Sequence, residues 1–215
     1  MHPDASAAGS SSRLRELLAP VRVLPVLTVH AAEDAVPLAR ALLDGGLPAL
    51  EITLRTDAAL EAIERVRTEV PEALVGAGTV NTPELMARAA AVGSQFAVSP
   101  GLTGGLVAAS RQADLPLLPG VATPSEAMVA ANAGLDFLKL FPAAAVGGVV
   151  LLKALQGPLG HIHFCPTGGI DASTYRDYLA LPNVRCVGGS WMAPSDAIAA
   201  KDWPAITRAA QEISP

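Results

Sequence analysis

The sequence predicts an α/β fold, a single-domain (β/α)8 barrel, on three observations. Short apolar runs of strand character alternate with longer Ala- and Leu-rich stretches, Pro or Gly punctuates the joins, and eight such runs follow one another along 215 residues. The runs lie at 21–29 (VRVLPVLTV), 49–54 (ALEITL), 74–79 (LVGAGT), 96–100 (FAVSP), 115–121 (LPLLPGV), 137–142 (FLKLFP), 163–167 (HFCPT) and 184–189 (VRCVGG). Most are hydrophobic throughout, as strands buried on both faces are, and this fits a closed parallel barrel better than an open doubly wound sheet. Between them, Asn81-Thr82-Pro83-Glu84 and Thr123-Pro124-Ser125-Glu126 are helix starts, each with a threonine to cap and a proline in the first turn.

Composition narrows the function. Half of the chain is hydrophobic, enough for one sizeable core but short for two independent domains. The net charge of −5 with 16% charged residues offers no broad electrostatic footprint for nucleic acid or an anionic membrane surface, so an anionic ligand must be held locally. Residues 1–12 (MHPDASAAGSSS) lack the basic start and apolar stretch of a signal peptide and are expected to be a disordered tail on a cytoplasmic protein, with the barrel at 13–215. Cys165 and Cys186 sit inside apolar runs and read as reduced core thiols. His30, His161 and His163 have no partner at metal-ligand spacing and read as structural or solvent-facing; no metal site is expected.

Active sites of such barrels form at the carboxyl ends of the strands, so the polar residues closing each run belong together. Lys139 stands out, because the chain has three lysines against twelve arginines and this one interrupts the apolar strand Phe137-Leu138-Lys139-Leu140-Phe141-Pro142. Burial disfavours an ammonium and so favours an amine that can attack a carbonyl. Strand alternation sends Glu51, Thr53 and Arg55 to one face of the second strand and Ile52 and Leu54 to the other. Glu51 can then exchange protons beside Lys139, or simply pair with it. Arg55 presents a planar fork that suits a carboxylate, with Thr79 at the end of the third strand able to help. Glycine turns after the seventh and eighth strands, Thr167-Gly168-Gly169 and Gly188-Gly189-Ser190, lie where barrels often bind phosphate through backbone N–H groups. These residues alone leave three readings open: an imine-forming aldolase, a phosphosugar epimerase or isomerase with Lys139 as electrostatic stabiliser, and a non-catalytic phosphosugar-binding protein.

The motifs LEITLRT at 50–56, GAGTV at 76–80, FAVSPG at 96–101, LPGVATPSE at 118–126, FLKLFPA at 137–143, FCPTGGI at 164–170 and VGGSWM at 187–192 closely resemble those of the 2-keto-3-deoxy-6-phosphogluconate (KDPG) and 4-hydroxy-2-oxoglutarate (KHG) aldolases. The resemblance covers nearly all of the chain after the tail. It implies a class I lyase of the Entner–Doudoroff pathway in which Lys139 forms the imine, Glu51 is general acid and base, and Arg55 with Thr79 holds the pyruvate carboxylate. By the same resemblance Thr167 contacts a substrate hydroxyl, phosphate falls to Gly168, Gly169 and Ser190 with Gly189 beside them, and Pro100 and Phe141 line the pocket. It further implies a homotrimer and no metal or organic cofactor.

Overall fold

The computed structural model describes residues 5–213, with side chains from Ser11 onward. Within these residues the strands are β1 Val23–Leu27, β2 Ala49–Thr53, β3 Leu74–Gly78, β4 Ala97–Val98, β5 Leu117–Leu118, β6 Gly120–Val121, β7 Phe137–Leu140, β8 His163–Pro166 and β9 Val187–Gly189. The helices are α1 Ala5–Leu17, α2 Ala35–Asp44, α3 Ala59–Glu69, α4 Pro83–Ala91, α5 Gly104–Gln112, α6 Pro124–Asn132, α7 Gly148–Gln156, α8 Tyr175–Leu179, α9 Ser195–Ala199 and α10 Trp203–Gln211. Every strand pair is parallel, which the intervening helices make possible.

A six-stranded curled sheet runs β5-β4-β3-β2-β1-β9, and a three-stranded one β6-β7-β8. The run expected at 115–121 is split at Pro119, which has no N–H to give to a ladder. Leu117–Leu118 therefore pairs with β4 and Gly120–Val121 with β7. The Pro119 carbonyl still accepts from Lys139 N at 2.8 Å. At the other margin, parallel bridges join Phe164 to Val184 and Thr167 to Gly188.

Alternation divides the buried residues in two. Leu50, Ile52, Leu138, Leu140 and Phe164 point outward into a large core shared with the helices. Leu24, Ala49, Phe96, Val98, Leu118, Phe137, Cys165 and Cys186 form a second cluster on the inner face of the curled sheets, closed from below by Leu14 and Leu18. These two leucines explain the difference at the N-terminus. The expected tail covered residues 1–12; residues 1–4 lie outside the described region, whereas α1 begins at Ala5. Tertiary anchoring outweighs the weak propensity of its Ser/Gly-rich stretch: Leu14 is fully buried, and both Ser11 and Arg15 bind the Asp136 carboxylate. Both predicted caps form, Thr82 Oγ1 accepting from Leu85 N and Thr123 making a reciprocal capping box with Glu126. Thr103 Oγ1 caps α5 by accepting from Leu106 N.

Candidate active site

The inner stripe of β2 reads Ala49, Glu51, Thr53 and that of β7 reads Phe137, Lys139, with one charged residue in each. Glu51 is 1% exposed and Lys139 6%, and Lys139 Nζ lies 3.6 Å from Glu51 Oε1. At that separation the charges interact, but no hydrogen bond forms. Glu51 Oε1 accordingly takes no hydrogen bond from the described residues. A buried carboxylate oxygen left in this state is costly and marks a place where packing has been subordinated to chemistry. Room for it comes from Gly78 on the neighbouring strand, where a Cβ would collide with Glu51 Oε1. The Phe141 ring stands 5.0 Å from Lys139 Nζ and forms one wall.

Beyond the strand ends, Arg55 is exposed and is held by two threonines: its Nε donates to Thr53 Oγ1 at 3.1 Å and its Nη2 to Thr28 Oγ1 at 2.7 Å. Thr79 adopts φ 59°. A β-branched residue in the left-handed region is strained, and such strain is retained where surrounding structure over-determines it. Here the carbonyl of Gly78 accepts from Leu54 N and the amide of Val80 donates to the Val98 carbonyl, pinning the backbone on either side. Pro100 is exposed after β4, and its carbonyl lies where any side chain at Gly120 would intrude.

The third part of the site is the pair of turns. Thr167 is 6% exposed, at the end of β8, and its bridge to Gly188 draws the two turns together. Gly168 and Gly169 have φ 98° and 72°, and the Thr167 and Gly168 carbonyls accept from the amides of Ala143 and Ala144. Successive left-handed glycines expose backbone N–H groups to a bound anion. Ser190 is exposed, while Gly189 is buried with Trp191 packed where its Cβ would be.

Two glycine spacers and one support emerge from the structure, although Gly188 already stood in the turn expected after the eighth strand. Gly78 and Gly188 make room for Glu51 and for Thr167; a glycine inside an apolar strand is the signal that finds them. Thr28, inside the run at 21–29, carried no signal, since its partner Arg55 lies in the turn after the next strand. His30 and His161 are exposed, as expected, and His163 is half-buried. Burial, then the Arg185 guanidinium whose Nη2 meets His163 Nε2 at 3.0 Å, pushes the His163 pKa below the ordinary histidine value. A cavity of about 660 Å3 opens at the opposite, N-terminal end of the strands, lined in part by Arg15, Arg22, Phe137 and Arg185; no expected site residue lines it.

The fold is parallel α/β, with a buried lysine–carboxylate pair on the inner stripes of β2 and β7. The chain belongs to the KDPG and KHG aldolase family, whose sequence model matches residues 14–209. It is 52% identical to the 2-dehydro-3-deoxy-phosphogluconate aldolase of Dickeya dadantii, with 88% of this chain and 89% of the relative covered. It is 51% identical to the KHG/KDPG aldolase of Escherichia coli K12 over the same shares. Among solved structures, the KDPG aldolase of Legionella pneumophila, with pyruvate captured as a covalent carbinolamine, superposes with a TM-score of 0.90 at 46% identity, covering 93% of this chain and 97% of that one. The enzyme of Zymomonas mobilis with 3-phosphoglycerate gives 0.90 at 42% identity, covering 95% and 96%. Family membership decides among the three readings left by the residues alone, in favour of the aldolase.

Proposed function

We propose that this aldolase cleaves 2-keto-3-deoxy-6-phosphogluconate to pyruvate and glyceraldehyde 3-phosphate, and that it also accepts 4-hydroxy-2-oxoglutarate, giving pyruvate and glyoxylate. The observation that carries the reading is the Lys139–Glu51 pair, buried and separated by 3.6 Å. The Lys139 amine adds to the C2 keto carbon, and loss of water from the resulting carbinolamine gives a protonated imine. Glu51 takes the C4 hydroxyl proton; the C3–C4 bond breaks, its electron pair flows into the imine, and the aldehyde leaves. Glu51 returns a proton to the enamine carbon, and water releases pyruvate and restores the amine. Arg55 and Thr79 hold the carboxylate, Thr167 a hydroxyl, and the backbone at Gly168, Gly169, Gly189 and Ser190 the phosphate, while Pro100 and Phe141 shape the walls.

The scaffold in this reading is one (β/α)8 barrel from residue 13 onward, the six-stranded and three-stranded sheets being two arcs of one ring that continues through Pro119 and the Thr167–Gly188 bridge. The working form is a cytoplasmic homotrimer, consistent with exposed apolar side chains such as Met128, Val129 and Val150. Steady-state assays with each keto acid, following pyruvate by coupled reduction, test the substrate assignment. Turnover of the phosphorylated acid with the higher kcat/KM supports it, and failure to release pyruvate from either acid overturns it.

A further inference from the structure

The hydrogen bonds around Arg55 have a fixed direction. Thr53 has a single hydroxyl proton, and it goes to the Leu27 carbonyl at 2.9 Å, so Thr53 Oγ1 accepts in its other contacts. Those contacts are Arg55 Nε at 3.1 Å and Thr28 Oγ1 at 3.3 Å, which makes Thr28 the donor to Thr53. Thr28 in turn accepts from Arg55 Nη2 at 2.7 Å. The order therefore runs from Arg55 through two hydroxyls to a strand carbonyl, with no proton left to face the wrong way. Thr53 is 2% exposed and sits in the inner stripe of β2, so the chain of donors is rooted in the sheet.

We propose that Thr28 and Thr53 are positioning residues that occupy the Nε–Nη2 edge of Arg55 and thereby present its Nη1–Nη2 edge to the substrate carboxylate. The inference rests on the reading that Arg55 holds that carboxylate. A guanidinium has five N–H groups in one plane, and side-on pairing through Nε and Nη2 would displace both hydroxyls. End-on pairing displaces neither, and it finds the side chain already ordered, so less freedom is lost when the keto acid binds. The carboxylate and the carbon that joins Lys139 are the two fixed points nearest the bond that breaks. Orientation of Arg55 hence sets how the C3–C4 bond lies relative to Glu51.

The test is a set of variants in the full-length protein, measured for KM and kcat with the phosphorylated keto acid and for pyruvate affinity by imine trapping. Thr28→Val and Thr53→Val are expected to raise KM and weaken pyruvate by between about threefold and tenfold each, the range for one lost hydrogen bond of ordinary strength. Thr28→Ser and Thr53→Ser, which keep the hydroxyl, should restore both. In an Arg55→Ala background the valine changes should have no further effect on KM, an outcome that a purely structural role would not produce. If Arg55→Ala leaves keto-acid binding unchanged, the carboxylate reading fails and this inference with it. If Arg55→Ala weakens binding while the valine variants match wild type, or keep their full effect without Arg55, the positioning role alone is wrong. Should Thr53→Val not fold, Thr28→Val and the serine variants decide the matter.

Discussion

Lys139 and Glu51 each interrupt an apolar strand, and each would be costly to bury alone. Together they cost less, and the 3.6 Å gap leaves Glu51 able to turn from the amine to a substrate hydroxyl. Glu51→Gln, which keeps the shape and removes the charge, should still permit imine formation with pyruvate while slowing turnover by about two orders of magnitude or more; unchanged kcat would remove Glu51 from the proton-transfer role. A second residue-scale effect concerns stability. His163 has a folded-state pKa below its unfolded value because of burial and Arg185, with Arg15 acting the same way and Asp136 opposing them. Above the unfolded value, about 6.5, both states are neutral at this residue and nothing is lost. As pH falls below it, the unfolded chain takes up a proton that the native state resists, and stability declines until the folded pKa is reached. Urea midpoints measured between about pH 7.5 and pH 5.5 should fall more steeply in the wild type than in His163→Gln, and equal slopes would contradict this. The expected alternation places Glu51 and Thr53 on the inner stripe of β2, whereas Arg55 lies in the turn after it, its N–H bonded to the Thr53 carbonyl. Gly78 and Gly188 stand out as glycines inside apolar strands, but the side chain each makes room for does not, and the support from Thr28 carried no signal, since each acts on a residue distant in sequence.

At the scale of elements, the helix starts were the most readable feature. Thr123 and Glu126 satisfy each other's backbone, with Glu126 Oε2 accepting from the amides of Ala122 and Thr123 at 2.7 and 2.9 Å. These bonds, that from Ala122 first, hold the Glu126 carboxyl below its ordinary pKa. Thr123→Ala should lower unfolding free energy by about 1 kcal/mol, read from urea denaturation, with KM unaltered; no change in midpoint would show that tertiary packing alone fixes α6. The strands were placed correctly but drawn too long. Pro119 divides the fifth run, and the run expected at 184–189 keeps only Val187–Gly189 as regular strand. Helix α1 was invisible because its Ser/Gly-rich beginning carries no periodic signal, and its stability comes from contacts with residues over 100 positions away, such as Asp136.

Across the whole molecule the two ends of the strands do different work. The N-terminal end is closed by α1 and the turn after it, where Leu14 and Leu18 complete the inner core, and the C-terminal end carries the lysine, the carboxylate, the arginine and the glycine turns. Stability and chemistry are thus separable along one axis. Leu14→Ala should cost about 2–5 kcal/mol of unfolding free energy, as truncation of a buried leucine does, while kcat and KM at low temperature stay near wild type. A large loss of kcat in the folded variant would show that the two ends are coupled. The central claim is that Lys139 is the residue that bonds covalently to substrate. Borohydride reduction in the presence of pyruvate, followed by peptide mass analysis, tests it directly, because only Lys153 and Lys201 compete and both are exposed. A reduced pyruvate adduct is expected on Lys139 and none in Lys139→Ala; an adduct on another lysine, or none while pyruvate is shown to bind, would rule out Lys139 as the covalent residue.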